Sequence, residues 1–231
     1  MDIVNNSFGC DDCSFKILLC GNIPVDDFRI IRNTARQLRY KKNETIIKQG
    51  TKATHVAFLY KGIVKMAYED RRGRNLIVSV LSEQKFLGCV NMFFKDTNVF
   101  SLVAVEECDI CLLDYKVISR LVEKNSVFAS NIFRHSIGMF EAAIENYVSL
   151  AHRQANGRIA DVLLYLSKNV YKKKVFEMSL SRVEIAEYAA CSRENVITIL
   201  KKFNKEGIID FKEKTIEIKN VDKLMEISRN G

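Results

Sequence analysis

The stretch from residue 126 to residue 153 contains no proline and a single glycine, Gly138, and its apolar residues recur alternately four and three positions apart. That spacing is the heptad pattern of a coiled coil, so we predict one long helix over residues 126–154. A second apolar stripe, on another face, consists of Ile132, Met139, Ala142 and Leu150. Two stripes indicate that one packs within the chain and the other meets a second copy; one broad face buried within the monomer is the alternative. The predicted dimer interface consists of Phe133, Ile137, Phe140, Ile144, Tyr147 and Ala151.

The residues before this helix have a sequence pattern typical of antiparallel β-sheets. Runs rich in β-branched and aromatic residues are separated by turn signals that include Gly50, Gly62 and Gly73. Short strands at this spacing are typical of a barrel or a sandwich. We predict strands in the runs 56–59, 63–68, 76–80 and 102–113, preceded by a short amphipathic helix at about residues 28–39.

The C-terminal third predicts two short helices followed by two short strands. After a hinge at residues 155–157 and a helix over 158–170, Ser181 stands three residues before Glu184, which is a capping box. We expect the capped helix to bury Val183, Ile185, Ala186 and Ala189. A tight turn at Ala190 and Cys191 leads to a second helix with Ser192 as its N-cap, which buries Val196, Ile199, Leu200 and Phe203. The runs 208–211 and 215–218 are then the strands of a wing.

Two helices joined by a sharp turn leave the outer face of the second helix free to enter a DNA major groove. Arginine can donate two hydrogen bonds to guanine, and glutamate can accept one from cytosine. Lysines further along such a helix suit phosphates, which position a protein without reading sequence. A helical hairpin with its charges in water is the alternative. The predicted DNA-contacting residues are Ser192, Arg193, Glu194, Ile197, Thr198, Lys201 and Lys202.

Charge and cysteine content narrow the class of protein. The chain carries a net charge of +8, which favours binding to an acidic partner. Its length of 231 residues is typical of a two-domain protein. No apolar run is long enough to span a membrane, and the N-terminus is acidic where a signal peptide needs positive charge, so we expect a cytoplasmic protein with no membrane partner. Seven cysteines in a reducing compartment favour metal binding, redox sensing or burial over a disulfide framework.

Three of the cysteines lie close together near the N-terminus. Cys10, Cys13 and Cys20 form a C-x-x-C pair followed by a third thiol, and such a group can bind zinc or an iron–sulfur cluster. A thiol redox enzyme that uses Cys10 and Cys13 is a rival, but its pair should lie near a βαβ unit, and no such pattern precedes or follows it. No acid–base pair or nucleophile triad is evident, so we expect that the chain is not an enzyme. Taken singly, Cys89, Cys108 and Cys111 are typical of buried small residues, and Cys191 of a structural turn residue.

Several segments together resemble the CRP/FNR superfamily of bacterial regulators. They are the recognition-helix motif CSREN at residues 191–195 with Ile199, Leu200, Lys201 and Lys202, the preceding EIAEYAA, the ANGRIA at 155–160, and residues 58–88. The resemblance implies an α+β fold: a cysteine-rich head at 1–27, a cyclic-nucleotide-binding-like antiparallel β-barrel at 28–125, a dimerisation helix at 126–154 and a winged helix-turn-helix at 155–231. It also implies a homodimer that binds double-stranded, palindromic operator DNA and contacts RNA polymerase.

The resemblance makes Arg193 and Glu194 the base readers, with two departures. Thr198 stands where the family usually has arginine, which puts one base contact in doubt. Ala190 stands where glycine usually makes the turn, so we expect a mildly strained turn there.

The sensor domain departs from the cyclic-nucleotide binders of the family, which place a Gly-Glu pair on the ribose and an Arg-Ser pair on the cyclic phosphate. Here Gly88 is followed by Cys89, and no Lys or Arg occurs in residues 96–104. A buried phosphate without a cation is costly, so we expect that the chain does not bind cyclic AMP.

The head instead resembles the oxygen-sensing branch of the superfamily, although the interval from Cys13 to Cys20 is one residue longer than in its best-known members. That branch implies a 4Fe–4S cluster on Cys10, Cys13, Cys20 and a fourth cysteine that aligns with Cys111, with Cys108 and Cys89 as rivals. Loss of the cluster to oxygen or nitric oxide would change dimerisation and DNA binding. The alternative is control by haem, through one of the three histidines, or by another small molecule in the barrel.

Overall fold

The structure is a computed structural model that describes residues 2–3, 10, 13–21, 23–88 and 96–231. The chain forms two compact units. The first comprises Met1–Tyr68 and Leu81–Glu141, and the second comprises Glu69–Val80 and Ala142–Gly231. Each unit has its own arrangement of helices and strands.

The first unit is built on two β-sheets. One sheet has the order β1-β2-β9-β4-β7 and the other has the order β3-β8-β5-β6, in which most of β6 is assigned to the second unit. The strands are β1 Asp2–Ile3, β2 Arg36–Tyr40, β3 Thr45–Ile47, β4 His55–Lys61, β5 Ile63–Glu69, β6 Asn75–Ser82, β7 Lys85–Leu87, β8 Ser101–Ala104 and β9 Cys108–Asp114. A buried core that includes Leu38, Leu59, Val64, Leu102 and Ile110 draws side chains from both sheets. The predicted antiparallel β domain is confirmed, as two sheets rather than one closed barrel.

Two predicted boundaries in this unit are wrong. The helix expected at residues 28–39 is α1, Val25–Thr34, and the residues after it form β2. Alternate burial of Leu38 and Tyr40 gives that segment a two-residue period, which overrides its helical composition. The run 102–113 is two strands, β8 and β9, because residues 105–107 turn the chain between them.

A second core of the first unit packs helices against the sheet. It gathers the helical turn Lys16–Cys20, α1, α2 (Tyr115–Lys124) and the start of α3 (Ser126–His152). Helix α2, which the sequence patterns did not predict, begins where the Asp114 carboxylate accepts hydrogen bonds from the backbone of Lys116 and Val117. The long helix predicted over 126–154 is confirmed as α3.

The second unit is helical with a small sheet. Helix α4, Ala155–Tyr165, continues as a π-helical turn, Leu166–Val170, and the remaining elements are β10 Val175–Glu177, α5 Arg182–Tyr188, α6 Arg193–Lys205, β11 Ile209–Lys212, β12 Thr215–Ile218 and α7 Val221–Asn230. The sheet order is β10-β12-β11. The predicted helix pair and both wing strands are confirmed, whereas β10 and α7 were not predicted. Residues Glu69–Val80 join this unit, and the Tyr165 hydroxyl donates to the Val80 carbonyl at 2.9 Å.

The break between α3 and α4 lies at Arg153 and Gln154, not at the predicted residues 155–157, which form the first turn of α4. Gln154 has extended backbone and so ends one helix and caps the next. Asp161 holds this corner together, because it pairs with Arg153 and accepts hydrogen bonds from the hydroxyls of Ser149 and Ser228. In the part of the chain that the structure describes, no helix is long and apolar enough to cross a membrane.

Candidate nucleic-acid interface and thiol site

The capping box of α5 has formed as predicted. The Ser181 hydroxyl accepts from the Glu184 backbone at 3.2 Å, and the Glu184 carboxylate accepts from the Ser181 backbone at 2.7 Å. Ile185, Ala186 and Ala189 are buried, but Val183 is 50% exposed, so its predicted burial is wrong. At 3.6 residues per turn Val183 lies about 200° around the helix from Ile185, which turns it away from the core.

The turn between α5 and α6 is tight and carries the expected strain. Ala190 adopts a φ of 44°, in the left-handed region that L-residues with a Cβ disfavour. The Cys191 backbone donates to the Ala186 carbonyl at 3.0 Å and closes the turn.

Helix α6 separates a buried face from an exposed one. The Ser192 hydroxyl caps it by accepting from the Asn195 backbone at 3.1 Å, and Val196, Leu200 and Phe203 anchor it in the core. The residues predicted to contact DNA all lie off that buried face. Ile197 is half-buried, and the exposed ones are Ser192, Arg193, Glu194, Thr198, Lys201 and Lys202.

The wing is fixed to these helices by two contacts. The Asn204 side-chain oxygen accepts from the Phe211 backbone at 2.8 Å, which ties the end of α6 to β11. The Arg182 guanidinium lies 4.3 Å from the centroid of the Phe211 ring, and partial burial lowers the pKa of Arg182. These two contacts join β11 to α6 and to α5.

The predicted dimer stripe on α3 is exposed along its whole length. Phe133, Phe140 and Tyr147 have 67%, 65% and 72% of their surfaces accessible, Ile137 and Ile144 have 41% and 46%, and Ala151 is also exposed. Ile132, on the other stripe, is fully buried in the core of the first unit, where Met139 also packs. Large apolar side chains in such a row are what a second copy would cover.

The N-terminal thiols lie close to Cys111. Burial raises the pKa of Cys111 to about 12, and electrostatic interaction with Cys13 and Cys10 adds to the rise. Burial likewise raises the pKa of Cys20 to about 12, with a further increase from Cys13 and a decrease from Lys16. Cys13, Cys20 and Cys111 pack at the same core of the first unit, and the Cys10 sulfur is contacted by Gln37, the residue paired with Cys111.

The rival fourth ligands are placed differently. Cys108 is three residues from Cys111 on β9, so its side chain faces the opposite side of the sheet, where its thiol donates to the Ile63 carbonyl at 3.2 Å. Burial raises its pKa to about 12. Cys89 lies outside the described residues, and Cys191 belongs to the second unit.

A metal centre would have to draw these thiols together. Among the described residues, no three Cys, His, Asp or Glu side chains are arranged to hold a metal ion. The four predicted thiol ligands are nonetheless a donor set that suits an iron–sulfur cluster or zinc. Iron would stabilise the thiolates that burial alone disfavours.

Two polar residues near the thiols were missed by the sequence patterns. The Asn131 amide on α3 donates to the Leu19 carbonyl at 3.3 Å, next to Cys20, and the Gln37 amide donates to the Cys10 sulfur at 3.7 Å. Neither residue stands in a motif, so no sequence signal pointed to them.

Two of the three histidines, His135 and His55, have structural contacts. His135 Nε2 accepts from the Phe86 backbone at 3.0 Å, and burial and then Lys85 lower the pKa of His135. His55 Nδ1 lies 3.0 Å from the Thr54 hydroxyl.

Comparison with known proteins assigns the chain to a family. Residues 37–125 match the family model of the cyclic nucleotide-binding domain, and residues 157–227 match that of the Crp-like helix-turn-helix domain. The chain belongs to the CRP/FNR family of transcription regulators. As a DNA-binding regulator of this family it has its helix-turn-helix in the second unit, which contains α5 and α6.

Two relatives align with most of the sequence of this regulator. The "cAMP-activated global transcriptional regulator CRP" of Salmonella typhimurium is 28% identical over 184 residues, 78% of this chain and 88% of the relative. The "cAMP-activated global transcriptional regulator Vfr" of Pseudomonas aeruginosa is 26% identical over 187 residues, 78% and 87% of the two chains.

Two solved structures have a fold similar to that of the regulator. FixK2 of Bradyrhizobium japonicum matches with a TM-score of 0.75 at 19% identity, over 84% of this chain and 96% of its own. A crp/fnr-family transcriptional regulator from Eubacterium rectale also has a TM-score of 0.75, at 15% identity, over 91% and 97% of the two chains.

Proposed function

We propose that this regulator is a homodimer whose binding to a palindromic operator is controlled by a 4Fe–4S cluster that responds to oxygen or nitric oxide. The observation that carries the cluster is that Cys13, Cys20 and Cys111 pack at one core of the first unit, and that Gln37, which is paired with Cys111, contacts the Cys10 sulfur. The proposed ligands are Cys10, Cys13, Cys20 and Cys111. When bound, the cluster would supply a structural link that oxidising gases destroy.

The position of Cys111 supports it as the fourth ligand over Cys108. Cys111 interacts electrostatically with both Cys10 and Cys13. The Cys108 thiol lies on the opposite face of β9, where it donates a hydrogen bond to the Ile63 carbonyl. Burial raises the pKa of Cys20 and Cys111, so binding of iron would have to displace their protons.

The thiol site is in direct contact with the proposed dimerisation helix. Leu19 and Cys20 are buried in the same core as Phe128 and Ile132 of α3. Asn131, between those two residues, donates to the Leu19 carbonyl. Any rearrangement of the turn that carries Cys20 therefore disturbs the packing of α3, whose exposed stripe is available to a second copy.

DNA reading is proposed for the exposed face of α6. Arg193 and Glu194 occupy the first turn of that helix, where side chains reach base edges in helix-turn-helix complexes. A dimer would present this face twice, to half-sites about one helical turn of DNA apart. Lys201 and Lys202 would contact phosphates.

We propose that cyclic AMP does not control this regulator, although relatives are named for it. In the segment of residues 96–104 the buried polar side chains are Ser101, whose hydroxyl accepts from the Gln49 backbone, and Asn98, whose amide donates to the carbonyl and hydroxyl oxygens of Thr51. A neutral amide held in this way offers no charge to a cyclic phosphate. Isothermal titration with cyclic AMP should give no binding heat; saturable binding would contradict the proposal.

The remaining parts of the proposal follow from the family. A transcription regulator acts on DNA, so we propose a role in the cytoplasm, with RNA polymerase as a further partner and no enzymatic activity.

Iron and acid-labile sulfide analysis of anaerobically reconstituted protein tests the cluster. Wild type should contain both and show broad visible absorption. Cys111→Ser should lose them, while Cys108→Ser and Cys191→Ser, the matched cysteine controls, should retain them. Wild type without iron and sulfide, or equal loading of Cys111→Ser, would refute the cluster or its fourth ligand.

A further inference from the structure

Strand β2 presents alternate side chains to the two faces of its sheet. Leu38 and Tyr40 point into the core between the sheets, so Gln37 and Arg39 point to the opposite face, where the thiols lie. In the antiparallel register Gln37 is paired directly with Cys111, and Arg39 with Asp109. Directly opposed residues have Cβ atoms about 5 Å apart.

The Gln37 side chain therefore lies between two of the proposed ligands. Its Nε2 donates to the Cys10 sulfur at 3.7 Å, while its backbone partner across the ladder is Cys111. The next residue on the same face, Arg39, is engaged by Asp109 through contacts of 2.7 and 3.2 Å. The charge on that neighbour is thus compensated, and the donor that touches a cysteine sulfur is a neutral amide.

We propose that Gln37 is a positioning residue for the 4Fe–4S cluster, donating an N–H···S hydrogen bond that holds the Cys10 thiolate beside Cys111. This inference rests on the proposed function. A sulfur that ligates iron carries negative charge, which an N–H donor stabilises. Hydrogen bonds to the sulfurs are among the factors that set the reduction potential of such clusters.

The direction of the effect follows from charge. Reduction by one electron makes the cluster and its thiolates more negative, so a hydrogen-bond donor favours the reduced form and raises the potential. Without the donor, the Cys10 thiolate also loses the contact that keeps it near Cys111, so iron should leave more easily.

Three variants separate the hydrogen bond from side-chain volume. Gln37→Met keeps an unbranched side chain of similar size and removes the donor. Gln37→Lys restores a donor. Gln154→Met makes the same change at an exposed glutamine of the second unit, where the side chain makes no capping hydrogen bond. All are prepared anaerobically as full chains, with circular dichroism to confirm folding.

Two measurements give the answer. Gln37→Met should lose iron to a chelator about 10-fold faster than wild type, as is usual when a ligand loses its hydrogen-bond partner. Its one-electron reduction potential, titrated with dithionite, should shift to a more negative value. Gln37→Lys should recover most of both properties, and Gln154→Met should match wild type.

The outcomes distinguish the role of Gln37 from the proposed 4Fe–4S cluster on which it rests. Wild type that binds no cluster overturns both. Wild type that binds a cluster, together with a Gln37→Met variant of unchanged potential and unchanged iron loss, overturns the role of Gln37 alone. A Gln37→Lys variant that resembles Gln37→Met would also overturn it, because the donor would then not matter.

Discussion

The exposed stripe on α3 allows the strength of the proposed dimer to be tested through Phe140. In one chain 65% of the Phe140 surface is accessible. An aromatic side chain buries about 200 Å² when fully covered, so a second copy could remove about 130 Å² of Phe140 from water. At about 25 cal/mol per Å² this is worth about 3 kcal/mol per copy, or about 6 kcal/mol for the two copies of a symmetric dimer.

The measured loss in Phe140→Ala should be smaller than that limit. Alanine retains its Cβ, and interfaces return only part of their buried area as affinity, so we expect a loss of about 2–4 kcal/mol. That corresponds to a dimer dissociation constant raised by about 30- to 1000-fold. Sedimentation equilibrium of cluster-loaded, anaerobic protein measures it directly.

Val127 provides the matched control. It lies on the same helix and is 52% exposed, but it is not on the stripe. Val127→Ala should dimerise like wild type. A wild-type protein that stays monomeric in every cluster state, or a Phe140→Ala variant as dimeric as Val127→Ala, would refute the assignment of this stripe.

Three further predictions concern single residues. Arg193→Ala should weaken binding to a selected operator by about 1–3 kcal/mol in a fluorescence anisotropy titration while leaving random DNA nearly unaffected; equal losses on both would show that Arg193 does not read bases. Ala190→Gly should raise the free energy of unfolding by about 0.5–1 kcal/mol, because glycine tolerates the φ of 44° at that turn; urea denaturation measures it, and a decrease would count against strain there. The pKa of His135 is lowered in the fold, so the unfolded chain takes up a proton first and stability should fall as pH drops below 6.5; the fall should be smaller in His135→Gln, and an identical pH dependence would exclude this histidine.

The elements predicted correctly from the sequence are those whose periodicity is strong over many residues or whose ends carry a capping signal. Helix α3 has a long heptad pattern, and α5 and α6 are preceded by Ser181 and Ser192, whose hydroxyls cap them in the structure. Helix α2 is only ten residues long, and its cap, Asp114, is also the last residue of β9, so the strand pattern conceals it.

The boundary between α1 and β2 was misplaced because the local sequence pattern is ambiguous there. Residues 36–39 are polar except for Leu38, which can be read as the end of an amphipathic helix, whereas pairing with β1 and β9 makes them a strand. The choice among Cys111, Cys108 and Cys89 could not be made from spacing, because the face of a strand that meets the N-terminal turn depends on tertiary packing. Gln37 reaches the Cys10 sulfur, and Asn131 the Leu19 carbonyl, from distant parts of the sequence, so no local pattern could have found them.

Control of DNA binding by the thiol site is tested most directly with one protein sample and one DNA duplex. An operator is selected from random duplexes by anaerobic, cluster-loaded protein, and its dissociation constant is measured by fluorescence anisotropy before and after exposure to air. Because the turn that carries Cys20 packs on α3, loss of the cluster should weaken the dimer and greatly reduce operator affinity, with little change on random DNA. The same operator affinity before and after the cluster is lost would contradict the account.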